Sequence, residues 1–159
     1  MRVLKTLLIV SAIVTLLPQS PVAAQTADNF LGTWKLNVAK SKYDAGQAPK
    51  ALTVTFEKAG AAVKITAKGT AANGTPINTV YTPTYDSKDV PVTGSPDYDT
   101  ASLKMLDANT RHTVRKKGGK EVQVVHSVLA KDGKSFTATT TGVNAKGAKV
   151  NSTAVFEKQ

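Results

Sequence analysis

The chain has 159 residues, no cysteine, and 21 basic against 11 acidic side chains, a formal net charge of +10. That length suits one domain with a sizeable core of its own. The missing cysteine excludes disulfide frameworks, thiolate metal sites and cysteine nucleophiles, and the positive balance favours anionic partners or solubility through lysine.

Residues 1–24 read as an export signal. Arg2 and Lys5 form a basic end, Thr6 to Leu17 is an apolar run too short for a membrane span, Pro18 and Pro21 break it, and Val22-Ala23-Ala24 supplies small residues for cleavage. The mature chain is expected to start at Gln25, to be exported to the periplasm or beyond, and to form a single domain over 25–159. It then carries 19 basic and 11 acidic side chains and no second apolar span.

After a polar lead-in, Phe30-Leu31-Gly32-Thr33-Trp34-Lys35-Leu36-Asn37 opens a strand expected to run to about Val38. Phe30, Trp34 and Leu36 share one face. Gly32 permits a bend or a close approach, and Trp34, the only tryptophan, can bury a large apolar area while its ring nitrogen keeps a hydrogen bond. Ala39 to Lys50, with Gly46 and Pro49, is expected to be loop. Leu52, Val54 and Phe56 alternate with polar residues, as do Val63, Ile65 and Ala67, the period-two pattern of half-buried strands. Asn73-Gly74 is a strong hairpin signal. Ile77 to Tyr85 is expected as a bent or edge strand, because Pro83 cannot donate to a ladder.

Asp86 to Thr100 is the least regular stretch, with a short strand at Val90–Val92. Its acids, Asp86, Asp89, Asp97 and Asp99, suit turns and lack the spacing of the twelve-residue calcium loop. Strands then recur at Ala101–Leu106, Thr110–Lys116, Glu121–Ala130, Phe136–Val143 and Val150–Phe156, separated by turns at Asp107–Asn109, Gly118-Gly119, Asp132-Gly133 and Lys146-Gly147. Eight to ten strands with turns about every ten residues describe an all-β meander. Closing it into an antiparallel up-and-down barrel removes the exposed edges.

The opening strand resembles that of the calycins, the group of lipocalins, fatty-acid-binding proteins and avidins, whose shared mark is the pair Gly32-x-Trp34. The final Thr153-Ala154-Val155-Phe156-Glu157-Lys158 resembles the last strand of the fatty-acid-binding proteins. The resemblance implies a lipocalin-like barrel that binds a small molecule inside, nearest to small exported lipocalin-like bacterial proteins of unassigned function. Two departures qualify it. The stretch Ala39–Lys50 is too short for the two-helix lid of the fatty-acid-binding proteins. Where their last strand holds a ligand carboxylate with an arginine and a tyrosine, this chain has Ala154 and Phe156, which cannot hydrogen-bond one.

Chemistry-bearing residues are sparse. His112 and His126, the only histidines, lack a third ligand and an identified acid–base partner, and the serines lack a nucleophile elbow. The expectation is a non-enzyme without metal or cofactor. Arg111, Arg115, Lys116, Lys117 and Lys120 surround the Gly118-Gly119 turn and are expected to form a basic outer face, either an anion-binding surface or a solvated hairpin tip. No aromatic lies between Tyr98 and Phe136, so a nucleic-acid reader is not expected there. The expected function is binding of a small apolar or amphipathic ligand inside the barrel, with Trp34, Phe56, Ile65, Tyr81, Val124 and Phe136 as interior candidates. The alternative is an envelope-associated interaction protein with a filled barrel and a basic surface that meets anionic polymer.

Overall fold

The computed structural model describes residues 28–159 apart from 45; the expected signal segment and the start at Gln25 lie outside them. The described residues form ten strands and no helix: β1 (Gly32–Lys42), β2 (Ala51–Ala59), β3 (Ala62–Thr70), β4 (Pro76–Tyr81), β5 (Val90–Pro91), β6 (Thr100–Asp107), β7 (Thr110–Lys117), β8 (Lys120–Leu129), β9 (Ser135–Val143) and β10 (Lys149–Lys158). All pairings are antiparallel, in the order β4-β3-β2-β1-β10-β9-β8-β7-β6-β5.

This sheet curls into a nearly closed up-and-down barrel. Its two ends meet at one bridge, where Val80 and Thr93 exchange two N–H···O bonds of 3.0 Å. Below that bridge the chain itself crosses the gap. Thr84 pairs with Ala62 of β3, and Asp86 pairs with Lys104 of β6. The strand around Pro83 is therefore an edge, as its missing N–H requires: regular pairing ends at Tyr81, and Pro83 is buried in the crossing segment.

The first strand has its expected facing, with Phe30 and Trp34 fully buried and Leu36 nearly so. Trp34 Nε1 donates to the Phe30 carbonyl at 2.7 Å, so the ring is buried with its polar atom satisfied. Phe136 gathers this end of the core. It meets Phe30 and Trp34 edge-on, at 5.4 and 5.1 Å between ring centres, and stacks on Phe156 at 4.7 Å. Gly32 serves backbone shape more than close packing. Its φ of +126° is outside the range of most side chains, while a Cβ there would meet only the Lys158 side chain, at 3.3 Å.

The strand boundary at Val38 moves. β1 continues through Ala39–Lys42 after a bulge in its pairing with β10, where register passes from Asn37–Val155 to Lys42–Thr153. Asn37 organises the bulge: its Oδ1 accepts from Lys40 N–H and its carbonyl from Ser41 Oγ, which in turn accepts from Val155 N–H. The extra residues project into solvent, which removes the apolar alternation that marks a strand.

A cavity in the barrel and its two arginines

The barrel encloses a cavity of about 650 Å³. Its apolar walls include Leu52, Val54, Phe56, Ile65, Val125 and Phe136. Its mouth lies at the end away from Trp34 and is rimmed by loop residues 46–49, 71–76, 94–98 and 144–146. Leu52, Val54 and Phe56 on β2 and Ile65 and Ala67 on β3 reach it by simple alternation.

β7 supplies the unexpected chemistry. Arg111, Thr113 and Arg115 alternate inward and line the cavity. Arg111 and Arg115 are thus not on the basic outer face where they were expected: their parity on β7 is that of the interior. Four residues of strand separate their backbones by about 13 Å.

Arg111 is 2% exposed and pairs with Asp28, whose side chain is also buried. Asp28 also accepts the Tyr85 hydroxyl at 2.6 Å and the Phe30 N–H at 3.0 Å. The guanidinium lies over the Phe30 and Phe56 rings, 4.2 and 4.5 Å from their centres. Burial pulls the Arg111 pKa down, and Asp28 opposes that shift.

Arg115 is nearer the mouth. Its Nη1 donates to Gln123 Oε1 at 3.0 Å, and its guanidinium lies 4.6 Å from the centre of the Tyr98 ring. Among the described residues it makes no ion pair, and its buried Nε has no partner. Tyr81 completes this polar patch. Burial pushes its phenol up to about 12, with Arg115 acting in the opposite direction. The cavity is therefore apolar over most of its wall, with one guanidinium held in an ion pair and one that is not; burial pulls the Arg115 pKa down, but Tyr98, Tyr81 and Asp97 outweigh it and leave the pKa raised.

Of the interior candidates, Phe56, Ile65, Tyr81 and Phe136 line the cavity. Trp34 is buried among the rings and does not border it. Val124 is a correction: it faces outward, paired with Val114, and the inward residues of β8 are Gln123, Val125, Ser127 and Leu129. Valines at 122, 124, 125 and 128 put apolar signal on both faces of β8. The inward Leu129, tied by the Asp132-Gly133 hairpin to Phe136, carried the correct parity. Gln123 and the two arginines, all polar, carried no sequence signal for the interior.

The rest of the basic hairpin stays outside. Lys116 pairs with Asp89 at 2.7 Å, while Lys117 and Lys120 are exposed and face each other across the turn. The loop acids are engaged within the fold: Asp86 with Lys88, Asp97 with the Ala145 N–H and Asp99 with the Gly118 N–H. His112 and His126 lie outside the cavity, directly opposite each other.

No protein-family model matches the chain, and no curated protein matches it. Solved structures do. A redesigned β-barrel, mFAP1, in complex with DFHBI aligns with 85% of this chain and all of its own, at 15% identity and a TM-score of 0.50. The zebrafish ileal bile-acid-binding protein in complex with cholic acid aligns with 82% of this chain and 99% of its own, at 10% identity and a TM-score of 0.51. At such identities the likeness is one of fold, and it agrees with the ten-stranded meander: an antiparallel, nearly closed up-and-down β-barrel.

Proposed function

We propose that this protein is a non-catalytic binder of an amphipathic small molecule bearing one anionic group. The apolar body occupies the barrel, and the anionic group meets Arg115. One observation carries this reading: the Arg115 guanidinium borders a mainly apolar cavity of about 650 Å³ and makes no ion pair among the described residues, with Asp97 acting on its charge only from beyond ion-pair distance. An apolar pocket with a few placed polar groups is the usual form of a small-molecule site, and leaving a charge there unmatched is costly without a ligand or water. Arg111 is matched by Asp28, so the deep end favours a neutral tail. The inward positions of the last strand, Ala154 and Phe156, supply wall and no anion contact. Barrels of this fold hold cholic acid and DFHBI in the solved structures, which supports the reading. Of the five residues of the basic-surface alternative, only Lys117 and Lys120 are exposed, and neither makes an ion pair among the described residues.

We take residues 1–24 to direct export to the periplasm or beyond, with 25–159 as the binding domain. Sequencing the N-terminus of the exported protein tests this, and a start at Gln25 is the expected result. The binding test is native mass spectrometry of the exported protein, then titration with 1-anilinonaphthalene-8-sulfonate and with an uncharged analogue. Wild type is expected to bind one sulfonate probe per chain and to melt higher with it, by about 2.7 kcal/mol at a hundredfold excess over Kd. Arg115→Met is expected to weaken the sulfonate at least about tenfold, the loss of one charge-assisted contact, and to spare the uncharged analogue. Equal loss of both probes, or of neither, refutes the role given to Arg115.

A further inference from the structure

The outer wall of the barrel carries a second pattern. His112 on β7 and His126 on β8 are directly paired, and both face away from the cavity. The Leu129 N–H donates to the Asn109 carbonyl at 2.8 Å. Bonded and non-bonded pairs alternate along an antiparallel ladder, and the register is unbroken from Thr110 to Arg115. The pair 112/126 is therefore non-hydrogen-bonded, the kind whose side chains stand closest, with Cβ atoms about 4.5–5.5 Å apart. Neither imidazole has a hydrogen-bond or ion-pair partner among the described residues. His126 is exposed and His112 half-buried.

From this juxtaposition we infer that His112 and His126 form a two-imidazole site for a late first-row divalent metal ion on the outside of the barrel. Imidazole nitrogens hold such ions at about 2.0–2.1 Å, a span that two rings on adjacent strands close from this Cβ separation. The sheet fixes both backbones, so binding orders only two short side chains. Among the described residues no third histidine, aspartate or glutamate joins the pair, so water completes the coordination and the site is open. Nitrogen donors favour copper(II) over zinc(II) and do not suit magnesium or calcium, which take oxygen ligands. Two neighbours on the same row tune the site. Thr139 of β9 faces His126, and Lys104 of β6 faces His112 and places a cation beside the metal.

The experiment uses the full exported chain without an added histidine tag, stripped of metal and titrated with copper(II), zinc(II) and magnesium(II). One copper(II) per chain is expected, held in the micromolar range, with zinc(II) weaker and magnesium(II) unbound. His112→Ala and His126→Ala each lower copper affinity at least about tenfold, as loss of a ligand demands. Lys104→Glu raises it, because a cation is exchanged for a carboxylate. All three positions are on the solvent face, and an unchanged melting midpoint shows that each variant is folded. Copper(II) broadening of backbone amide signals should centre on residues 112 and 126. Copper affinity that survives both histidine variants, or broadening centred on the N-terminus, overturns the inference. Because the site is on the far side of the wall from Arg115, Arg115→Met leaves it unchanged, and the two proposals stand or fall separately.

Discussion

Arg111 and Asp28 are 3% and 7% exposed at their side chains, so each is tolerable in the interior because of the other. Three donors converge on the Asp28 carboxylate: Arg111, the Tyr85 hydroxyl and the Phe30 N–H. Arg111 has less to spare, since its Nε and Nη1 are buried without partners. Asp28→Ala is therefore expected to destabilise the fold by about 3–5 kcal/mol, the cost of stranding a buried charge. The urea midpoint measures it, and a loss below about 1 kcal/mol would show that Arg111 finds water instead. Tyr81 gives a second prediction at this scale. Burial raises its phenol to about 12 from an ordinary 10, so folding favours the neutral form. Its contribution to stability is complete below pH 10 and is lost as pH climbs from 10 to 12. Tyr81→Phe has no proton to lose and should flatten that part of the stability profile. An identical alkaline decline in the variant would assign the effect to other groups.

The seam between β4 and the segment after β5 depends on one glycine. Gly94 has a φ of +76°, and a Cβ there would lie 1.9 Å from the Asn78 carbonyl oxygen. That oxygen belongs to backbone, so relief requires moving a strand. Gly94→Ala is expected to cost more than about 2 kcal/mol and to break the adjacent Val80–Thr93 bonds. Gly133→Ala is the control: its φ is also positive, at +67°, but open space surrounds the added methyl, so it should cost only the backbone strain of about 1 kcal/mol. Equal melting midpoints for the two variants would mean that strain, not the collision, sets the cost. At the scale of elements the sequence was legible. Alternation and glycine turns marked the strands in order, eight to ten of them where the structure has ten, because one face of each meets the core and the turns require positive φ. The extension of β1 to Lys42 was not legible, since a bulge turns its residues to solvent. Nor was the inward face of β7. Patterning assigns charge to the outside, and Arg111 and Arg115 break that rule where the barrel holds its polar chemistry.

Around the whole barrel the ladder is continuous from β4 to β5 by way of β10, but among the described residues the two end strands meet through a single backbone bridge, Val80–Thr93, helped by the Thr79 hydroxyl donating to the Gly94 carbonyl. Opening costs least where fewest bonds are broken, so this seam is the soft side of the molecule and β9–β10, paired over their whole lengths, the rigid side. The Val80 and Thr93 amides both donate across the seam and report on it directly. They are expected to exchange hydrogen faster than those of Ala138 and Ala154, on paired strands opposite. The cavity couples this seam to binding. Tyr81 ends β4, and Tyr98 closes the mouth loop that begins at Gly94; both face the cavity beside Arg115. An anion drawn to Arg115 touches the two sides of the gap together and favours the closed form by its differential affinity for it. Saturation with the sulfonate probe should therefore slow the Val80 and Thr93 amides in the wild type and not in Arg115→Met. Uniform slowing of all strand amides would instead describe a barrel that opens only as one unit.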